Sequence, residues 1–180
     1  MTERMEASAE IAKPIRLDPR FRREILAIHG GETLKICFQC GTCTSSCPIA
    51  RFSRSYRPRQ IIQMAQLGMK SKVLSSDTLW LCAACFTCTD RCPQGVEVAS
   101  VLRVLRNLAV KEGFMPAVYR ELASNVLGTG YAYRITALQN RKREEFGLPP
   151  LPKANIGDIA KLAQSTDFLK LIETRGVSSV

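Results

Sequence analysis

Apolar residues follow a helical period along most of this 180-residue chain, and no segment of useful length alternates as a β-strand does. The clearest pattern lies after residue 96, where six apolar residues fall on one stripe of a helix. The stripe consists of Val98, Val101, Leu102, Leu105, Leu108 and Ala109, whereas Arg103, Arg106, Asn107 and Lys111 lie outside it. This predicts an amphipathic helix that ends near Gly113, in an all-α protein.

Start and stop signals divide the first half of the chain into further helices. Asp18 and Pro19 predict an N-cap followed by proline in the first turn, with a helix that runs to the glycine pair at 30–31. Pro58 opens a second helical pattern that stops at the next glycine, and we expect a short helix at 70–74.

The last third of the chain has weaker patterns. Pro116 predicts the start of another helix, and the charged run at 141–145 is typical of a solvated helix face with pairing along the helix. From residue 147 the chain reads GLPPLP, which favours extended backbone, and short helical patterns follow at 156–163 and 167–173. With no cysteine and little core of its own, this region predicts an arm that lies on a partner protein.

From residue 116 to residue 180 we expect C-terminal helices with a docking arm. The first twenty residues carry acids and no apolar segment, so no secretory signal is predicted. The sequence contains no run of about 18 apolar residues, so no membrane span is predicted. These features predict a cytoplasmic protein, in whose reducing surroundings disulfides are disfavoured.

All eight cysteines belong to a repeated motif, C-x2-C-x2-C-x3-C-P, at 37–48 and again at 82–93. Aligned at an offset of 45, the segments 33–48 and 78–93 match at nine of sixteen positions, and four of the matches are neither cysteine nor proline. The repeat therefore indicates a duplicated unit with two equivalent sites.

The spacing favours two 4Fe–4S clusters. Zinc sites usually take two C-x2-C pairs, whereas three closely spaced cysteines followed by a fourth and a proline are typical of bacterial-type iron–sulfur proteins. In such pairs the fourth cysteine of each motif ligates the other cluster. One cluster is expected on Cys37, Cys40, Cys43 and Cys92, and the other on Cys82, Cys85, Cys88 and Cys47.

Other side chains near the motifs have simpler interpretations. A water-excluding shell is expected from Leu34, Phe38, Leu79, Trp80, Leu81 and Phe86. Thr42 and Thr87 are candidates either for hydrogen bonds to sulfur or for capping a local turn. The single histidine, His29, lies at a predicted helix end, where it is expected as a capping cation and not as a ligand.

The net charge and the absence of other motifs reduce the number of functions that the sequence allows. The formal charge of +10 falls to about +6 with two clusters on thiolates. A charge of this size is consistent with an acidic partner surface, with an anionic ligand, or simply with a solvated basic surface. The sequence has no glycine-rich nucleotide fingerprint, no nucleophile with a base, and no ninth cysteine. Two cluster motifs without a substrate site predict a protein that relays electrons and does not itself catalyse the reaction.

At this point the sequence resembles a known family. The stretches LKICFQCGTCTSSCPIARF and YRPRQIIQMAQLGMKSKVLSSDTLWLCAACFTCTDRCPQGVEV, together with the helix after them, resemble the C subunit of heterodisulfide reductase. The likeness covers about Ile15 to Met115, and it therefore implies a helical domain at 15–115 that follows an N-terminal extension at 1–14. It implies an α-helical ferredoxin domain in which the eight cysteines named above hold both clusters.

The resemblance also implies partners and a role. Family members are expected in a cytosolic heterodisulfide reductase complex, where a flavin-bearing A subunit delivers electrons and the C subunit relays them. A catalytic B subunit with CCG motifs then reduces the disulfide between coenzyme M and coenzyme B. A hydrogenase or formate dehydrogenase joins through the flavin-bearing partner in many such complexes. This chain lacks CCG motifs, which fits the relay and not the catalytic partner.

Several alternatives stay open at the level of sequence. A related sulfur-oxidising complex uses a similar relay protein, and glycolate-oxidase-like and glycerol-3-phosphate dehydrogenase-like enzymes contain α-helical ferredoxin domains. Succinate dehydrogenase-like proteins normally add a two-iron domain, which is absent here. A basic, cluster-bearing nucleic-acid binder is a more remote alternative, and no recognised binding motif accompanies the charge.

Overall fold

A computed structural model describes residues 16–173, and this part of the chain is helical with no β-strand. The α-helices are α1 (Pro19–Leu26), α2 (Thr42–Ser45), α3 (Pro48–Phe52), α4 (Pro58–Gln66), α5 (Lys70–Leu74), α6 (Thr87–Asp90), α7 (Val98–Lys111), α8 (Ala117–Thr129), α9 (Ala137–Glu145), α10 (Ile156–Ser165) and α11 (Phe168–Glu173). Two 3-10 helices, Glu32–Ile36 and Asp77–Leu81, precede the cysteine motifs. The prediction of an all-α protein is confirmed.

Helix α1 begins as predicted but ends early. The carboxylate of Asp18 accepts a hydrogen bond of 2.9 Å from the backbone N–H of Arg20, and Pro19 occupies the first turn. The helix stops at Leu26, before the glycine pair. Gly30 has a φ of +92°, and a Cβ on Gly31 would collide with the carbonyl of Ile25. The glycines therefore fold the chain back against α1 and do not continue it.

The other strong helical predictions are confirmed. Helix α4 begins at Pro58, α5 covers 70–74 as expected, and α7 contains the whole apolar stripe. Gly68, after α4, has a φ of +75°, and its carbonyl accepts from the backbone N–H of Asp18 at 2.7 Å. A Cβ at Gly68 would collide with the Asp18 backbone, so only glycine allows this junction between α1 and α4.

Helix α7 forms the centre of the core, since it packs on α1, α4, α5, α6 and both 3-10 helices. The most deeply buried side chains are aliphatic or aromatic and come from all parts of this domain. They include Phe21, Ile25, Leu34, Tyr56, Ile62, Val73, Leu74, Leu79, Val96, Val101, Leu102 and Leu105. At about 25 cal/mol per Å² of apolar surface, their burial is the main stabilising term of the domain apart from the clusters.

The sequence repeat is also a structural repeat. In the first half the Thr44 hydroxyl accepts from the backbone N–H of Arg59 at 2.9 Å, and in the second the Thr89 hydroxyl accepts from that of Ala99 at 3.1 Å. Each threonine thus anchors the first turn of the long helix that follows its motif. Helices α4 and α7 are equivalent elements, related by an offset of 40 residues where the motifs are related by 45.

The C-terminal helices differ from this domain. Helix α8 packs on α10 and α11, and the rings of Trp80 and Tyr119 meet with centroids 5.0 Å apart at the junction with the domain. Between residues 116 and 172 only Asn125 and Ala163 are buried. The short helices predicted at 156–163 and 167–173 are confirmed as α10 and α11.

The run 141–145 lies on exposed α9, as predicted. There Arg143 donates to the carbonyl of Pro149 at 2.9 Å instead of joining a pair along the helix. No helix among the described residues is long and apolar enough to cross a membrane. The predicted extension at 1–14 lies outside the described residues.

Candidate iron–sulfur centres

Four cysteines from both motifs line one cavity. Cys37, Cys40 and Cys43 contribute from the first motif, and Cys92 contributes from the second. Gly41, Arg59, Pro93, Val96 and Val98 complete most of its wall. The chain reaches this arrangement because α2 packs directly against α6, which brings the end of each motif to the beginning of the other.

Three of the other four cysteines act on the buried phenol of Tyr56, which is 1% exposed. Burial, a hydrogen bond to Cys82, and the nearby sulfurs of Cys82, Cys47 and Cys88 raise the pKa of Tyr56 well above its usual value. Cys47, from the first motif, therefore lies with cysteines of the second. Cys85 is exposed.

The two motif loops share an unusual backbone. Gln39 and Gly41 have φ values of +66° and +91°, and the matching Ala84 and Phe86 have +50° and +60°. Left-handed backbone is costly for residues other than glycine and is typical of functional loops. It turns an N–H towards sulfur in the second loop, where Ala84 donates to the Sγ of Cys82 at 3.4 Å. Only Gly41 signals this conformation in the sequence.

Threonine hydroxyls hydrogen-bond to the middle cysteines. The Oγ1 of Thr42 lies 3.3 Å from the Sγ of Cys40, and that of Thr87 lies 3.5 Å from the Sγ of Cys85. These hydrogen bonds lower the pKa of both thiols. Each threonine therefore favours the thiolate of its cysteine, which is the form that binds metal in proteins.

Burial has the opposite effect on the pKa of the third cysteine in each motif. Desolvation raises the pKa of Cys43 and raises that of Cys88 to about 11. Burial therefore disfavours the thiolate at both positions.

The donor set fits clusters better than single ions. Among the described residues, no three His, Cys, Asp or Glu side chains gather as they would around one ion. Instead, four thiols face a shared cavity, which suits a 4Fe–4S cluster because it takes one thiolate on each of its four irons.

Two polar side chains hold matching carbonyls just before the loops. Gln66 Nε2 donates to the carbonyls of Leu34 and Cys37, at 3.0 and 2.9 Å. In the second half, Arg106 Nε and Nη2 donate to the carbonyls of Leu79 and Cys82, at 3.0 and 2.7 Å.

The sequence did not reveal the role of Gln66 and Arg106, which we call the carbonyl clamps, or that of Tyr56. Gln66 and Arg106 occupy equivalent turns of α4 and α7, 40 residues apart. That offset becomes visible only once the two helices are known to be equivalent.

The predicted shell is only partly buried. Leu34 and Leu79 are fully buried, whereas Phe38, Leu81 and Phe86 are exposed and Trp80 is half-buried. His29 is exposed, with Nδ1 3.4 Å from a carboxylate oxygen of Glu32. It lies at no cysteine site in the described part of the chain.

Comparisons with known proteins agree with this geometry. Residues 33–96 match a family model described as a 4Fe-4S dicluster domain. The chain is 36% identical over 174 residues to the C subunit of the H(2):CoB-CoM heterodisulfide,ferredoxin reductase of Methanothermobacter thermautotrophicus, covering 93% of each chain. It is also 36% identical to the iron-sulfur C subunit of the CoB--CoM heterodisulfide reductase of Methanopyrus kandleri, covering 93% of this chain and 85% of the relative.

The chain belongs to the family of heterodisulfide reductase C subunits. A relative from Methanosarcina mazei, the C subunit of a Ferredoxin:CoB-CoM heterodisulfide reductase, is 40% identical over 149 residues, or 83% of this chain and 88% of the relative. As a member of this family with the dicluster domain, the chain is a non-catalytic iron–sulfur subunit for electron transfer in an oxidoreductase complex. The prediction of two 4Fe–4S clusters is confirmed.

Proposed function

We propose that this chain relays electrons within a cytoplasmic heterodisulfide reductase complex, from the flavin-bearing partner to the catalytic partner. The catalytic partner would reduce the disulfide between coenzyme M and coenzyme B, the substrate that the relatives' names contain. A hydrogenase or formate dehydrogenase would supply electrons through the flavin-bearing partner. The observation that carries the proposal is the cavity that cysteines of both motifs line together, in a chain of a family of electron-transfer subunits.

The ligand assignment is part of the proposal. Cys37, Cys40, Cys43 and Cys92 would hold one cluster, and Cys82, Cys85, Cys88 and Cys47 the other. The shared cavity of the first set and the position of Cys47 near Cys82 and Cys88 support this exchange of fourth ligands.

Within this scheme the protein supplies position and environment. Bound 4Fe–4S clusters supply one-electron chemistry. The threonine hydroxyls favour the thiolates, the left-handed backbone of the second loop directs an N–H at sulfur, and α7 packs on both halves of the core. Because each set contains cysteines of both motifs, metal loading and folding of the two halves are coupled.

We further propose that residues 116–180 dock onto a larger protein of the complex. Their described part exposes several large apolar side chains on helices and connections with almost no buried core. Among them are Tyr133, Leu138, Phe146, Leu148, Ile156 and Leu162. A monomer rarely leaves so many large apolar groups in water, which favours a protein partner over solvent.

The test separates relay from chemistry. The reconstituted complex carrying Cys85→Ser should lose heterodisulfide reduction driven through the flavin-bearing partner. The same complex should keep reduction driven by an artificial donor to the catalytic partner, because that partner holds the reacting site. The isolated chain should be redox-active yet reduce no heterodisulfide. Equal loss in both assays would mean that this chain takes part in the chemistry, and the relay proposal would fail.

A further inference from the structure

One difference between the two cluster sites concerns the side chains that hold equivalent backbone carbonyls. Both Gln66 and Arg106 clamp the two carbonyls at the start of a motif, one of which belongs to the first ligand cysteine of that motif. The contacts are the same, but Gln66 is neutral, whereas Arg106 always carries a positive charge. At these two equivalent positions, a fixed cation holds the carbonyl of Cys82 and a neutral amide holds that of Cys37.

Arg106 is held firmly in that position. The guanidinium makes two hydrogen bonds and lies 5.7 Å from the ring centroid of Trp80, and the side chain is half-buried. Its Nη2 lies 2.7 Å from the carbonyl oxygen of Cys82, which is within the range of charge-assisted hydrogen bonds. Partial burial reduces screening by water and salt, so the charge acts strongly on its neighbourhood.

The first site has a weaker, neutral counterpart. The carbonyls of Leu34 and Cys37 fix the amide orientation of Gln66, whose Oε1 therefore accepts from Gln39 Nε2 at 2.8 Å. The same Nε2 lies 3.5 Å from the Sγ of Cys37. The matching Ala84 has no side-chain amide. A neutral N–H near sulfur stabilises added electrons less than a charged donor does.

Other charges near the sites are more exposed. Arg59 lines the first cavity and lowers the pKa of Cys40, and Asp90 acts against the thiolate of Cys85. Both side chains are solvent-exposed, so water and salt weaken their effect. Arg106 is half-buried, so water and salt screen its charge less than they screen those of Arg59 and Asp90.

We propose that Arg106 makes the site of Cys82 the more oxidising of the two, so that electrons pass from the Cys37 side to the Cys82 side. A reduced cluster carries one more negative charge, which a fixed cation stabilises, so the reduction potential rises on that side. One electron enters and one leaves, with no proton in the balance. This inference rests on the proposed two-cluster relay and adds a direction to it.

The experiment measures both midpoint potentials of the full chain, purified anaerobically, by redox titration followed with electron paramagnetic resonance. Arg106→Gln places the residue of the first half in the second. It should lower the higher potential, with a change of about tenfold in the reduction equilibrium, or 59 mV for one electron. The lower potential should stay in place. A shift of the lower potential alone, or of neither, overturns the inference.

Three further variants sharpen the result. Arg106→Lys keeps the charge and should leave the potentials near those of the native chain. Arg103→Gln removes one charge from an exposed position of the same helix, and it should shift neither potential. Gln66→Lys adds a cation at the matching clamp and should raise the lower potential.

The iron content of the native chain distinguishes failure of the two-cluster relay from failure of the proposed direction. Fewer than two clusters in the native chain would remove the relay itself, whereas two clusters without the Arg106 effect would remove only the direction. If Arg106→Gln does not load iron, Gln66→Lys decides. No rise of the lower potential in that variant overturns the inference.

Discussion

The cluster domain and the C-terminal helices are both α-helical, yet they are stabilised in different ways. Around α7, residues from several helices of both halves bury a continuous core, and cysteines from two distant motifs meet beside it. Helices α8–α11 bury almost nothing, and α9 depends on a local cap, since Thr136 forms a capping box with Gln139. Helical pattern alone therefore does not reveal whether a segment has its own core or needs a partner.

Metal loading should change most when a cysteine of the cluster domain is substituted. Cys92→Ser should remove the cluster on Cys37, Cys40 and Cys43, because Cys92 lines their cavity. Cys47→Ser should instead perturb the cluster on Cys82, Cys85 and Cys88. Iron and sulfide analysis with electron paramagnetic resonance of each variant measures this, against about eight irons in the native chain. Loss of the cluster nearest in sequence to each substitution would contradict the exchange of ligands.

The same substitution should lower the free energy of unfolding more in the core of the cluster domain than in the C-terminal helices. Leu105→Ala removes a fully buried side chain of α7 and should lower the free energy of unfolding by about 2–5 kcal/mol, since it leaves a cavity. The matched control, Leu162→Ala on exposed α10, should stay within about 0.5 kcal/mol. Anaerobic urea unfolding measures both. An equal loss would mean that α10 belongs to a core like that of α7.

Removal of the arm should affect assembly and not the clusters. Deletion of 147–180 takes away no cysteine, so the iron content and spectra of the isolated chain should be unchanged. Affinity for the larger proteins of the complex should fall, with about tenfold weaker binding for each 1.4 kcal/mol of lost contact. Co-purification and titration with these partners measure the loss. If the truncated chain fails to load iron, the arm is part of the domain.

The smallest expected effect is at the helix caps. Asp18→Ala and Thr136→Ala each remove a side-chain acceptor at a helix start, and each should destabilise its own helix by about 1 kcal/mol. In α1 the loss should lower the unfolding midpoint of the whole domain, because α1 packs into the core. In α9 only local amide exchange should speed up. A global effect of Thr136→Ala would show that the C-terminal helices unfold together with the domain.

Local signals predict most helices well and fail where distant contacts decide. Pro58, Asp18 and the stripe of α7 mark their helices correctly because capping and amphipathic periodicity act within a few residues. The predicted end of α1 is too late, because the glycine pair serves a turn packed against Ile25 and not a helix stop. The prediction of a water-excluding shell is half wrong, since apolar Phe38, Leu81 and Phe86 stay exposed in this chain.

The cluster type, the duplication and the family can be predicted from the order of residues, because cysteine spacing encodes cluster chemistry directly. The side chains that lie around the cysteines depend on how the helices pack. Tyr56 is affected by three cysteines. Gln66 and Arg106 hold equivalent carbonyls through hydrogen bonds between residues that are 24 to 32 positions apart in the chain. No local pattern carries such information, since the packing of α4 and α7 against the motifs creates these neighbours. Gln66 and Arg106 differ in charge, and this difference can be interpreted only because the packing shows that they hold equivalent carbonyls.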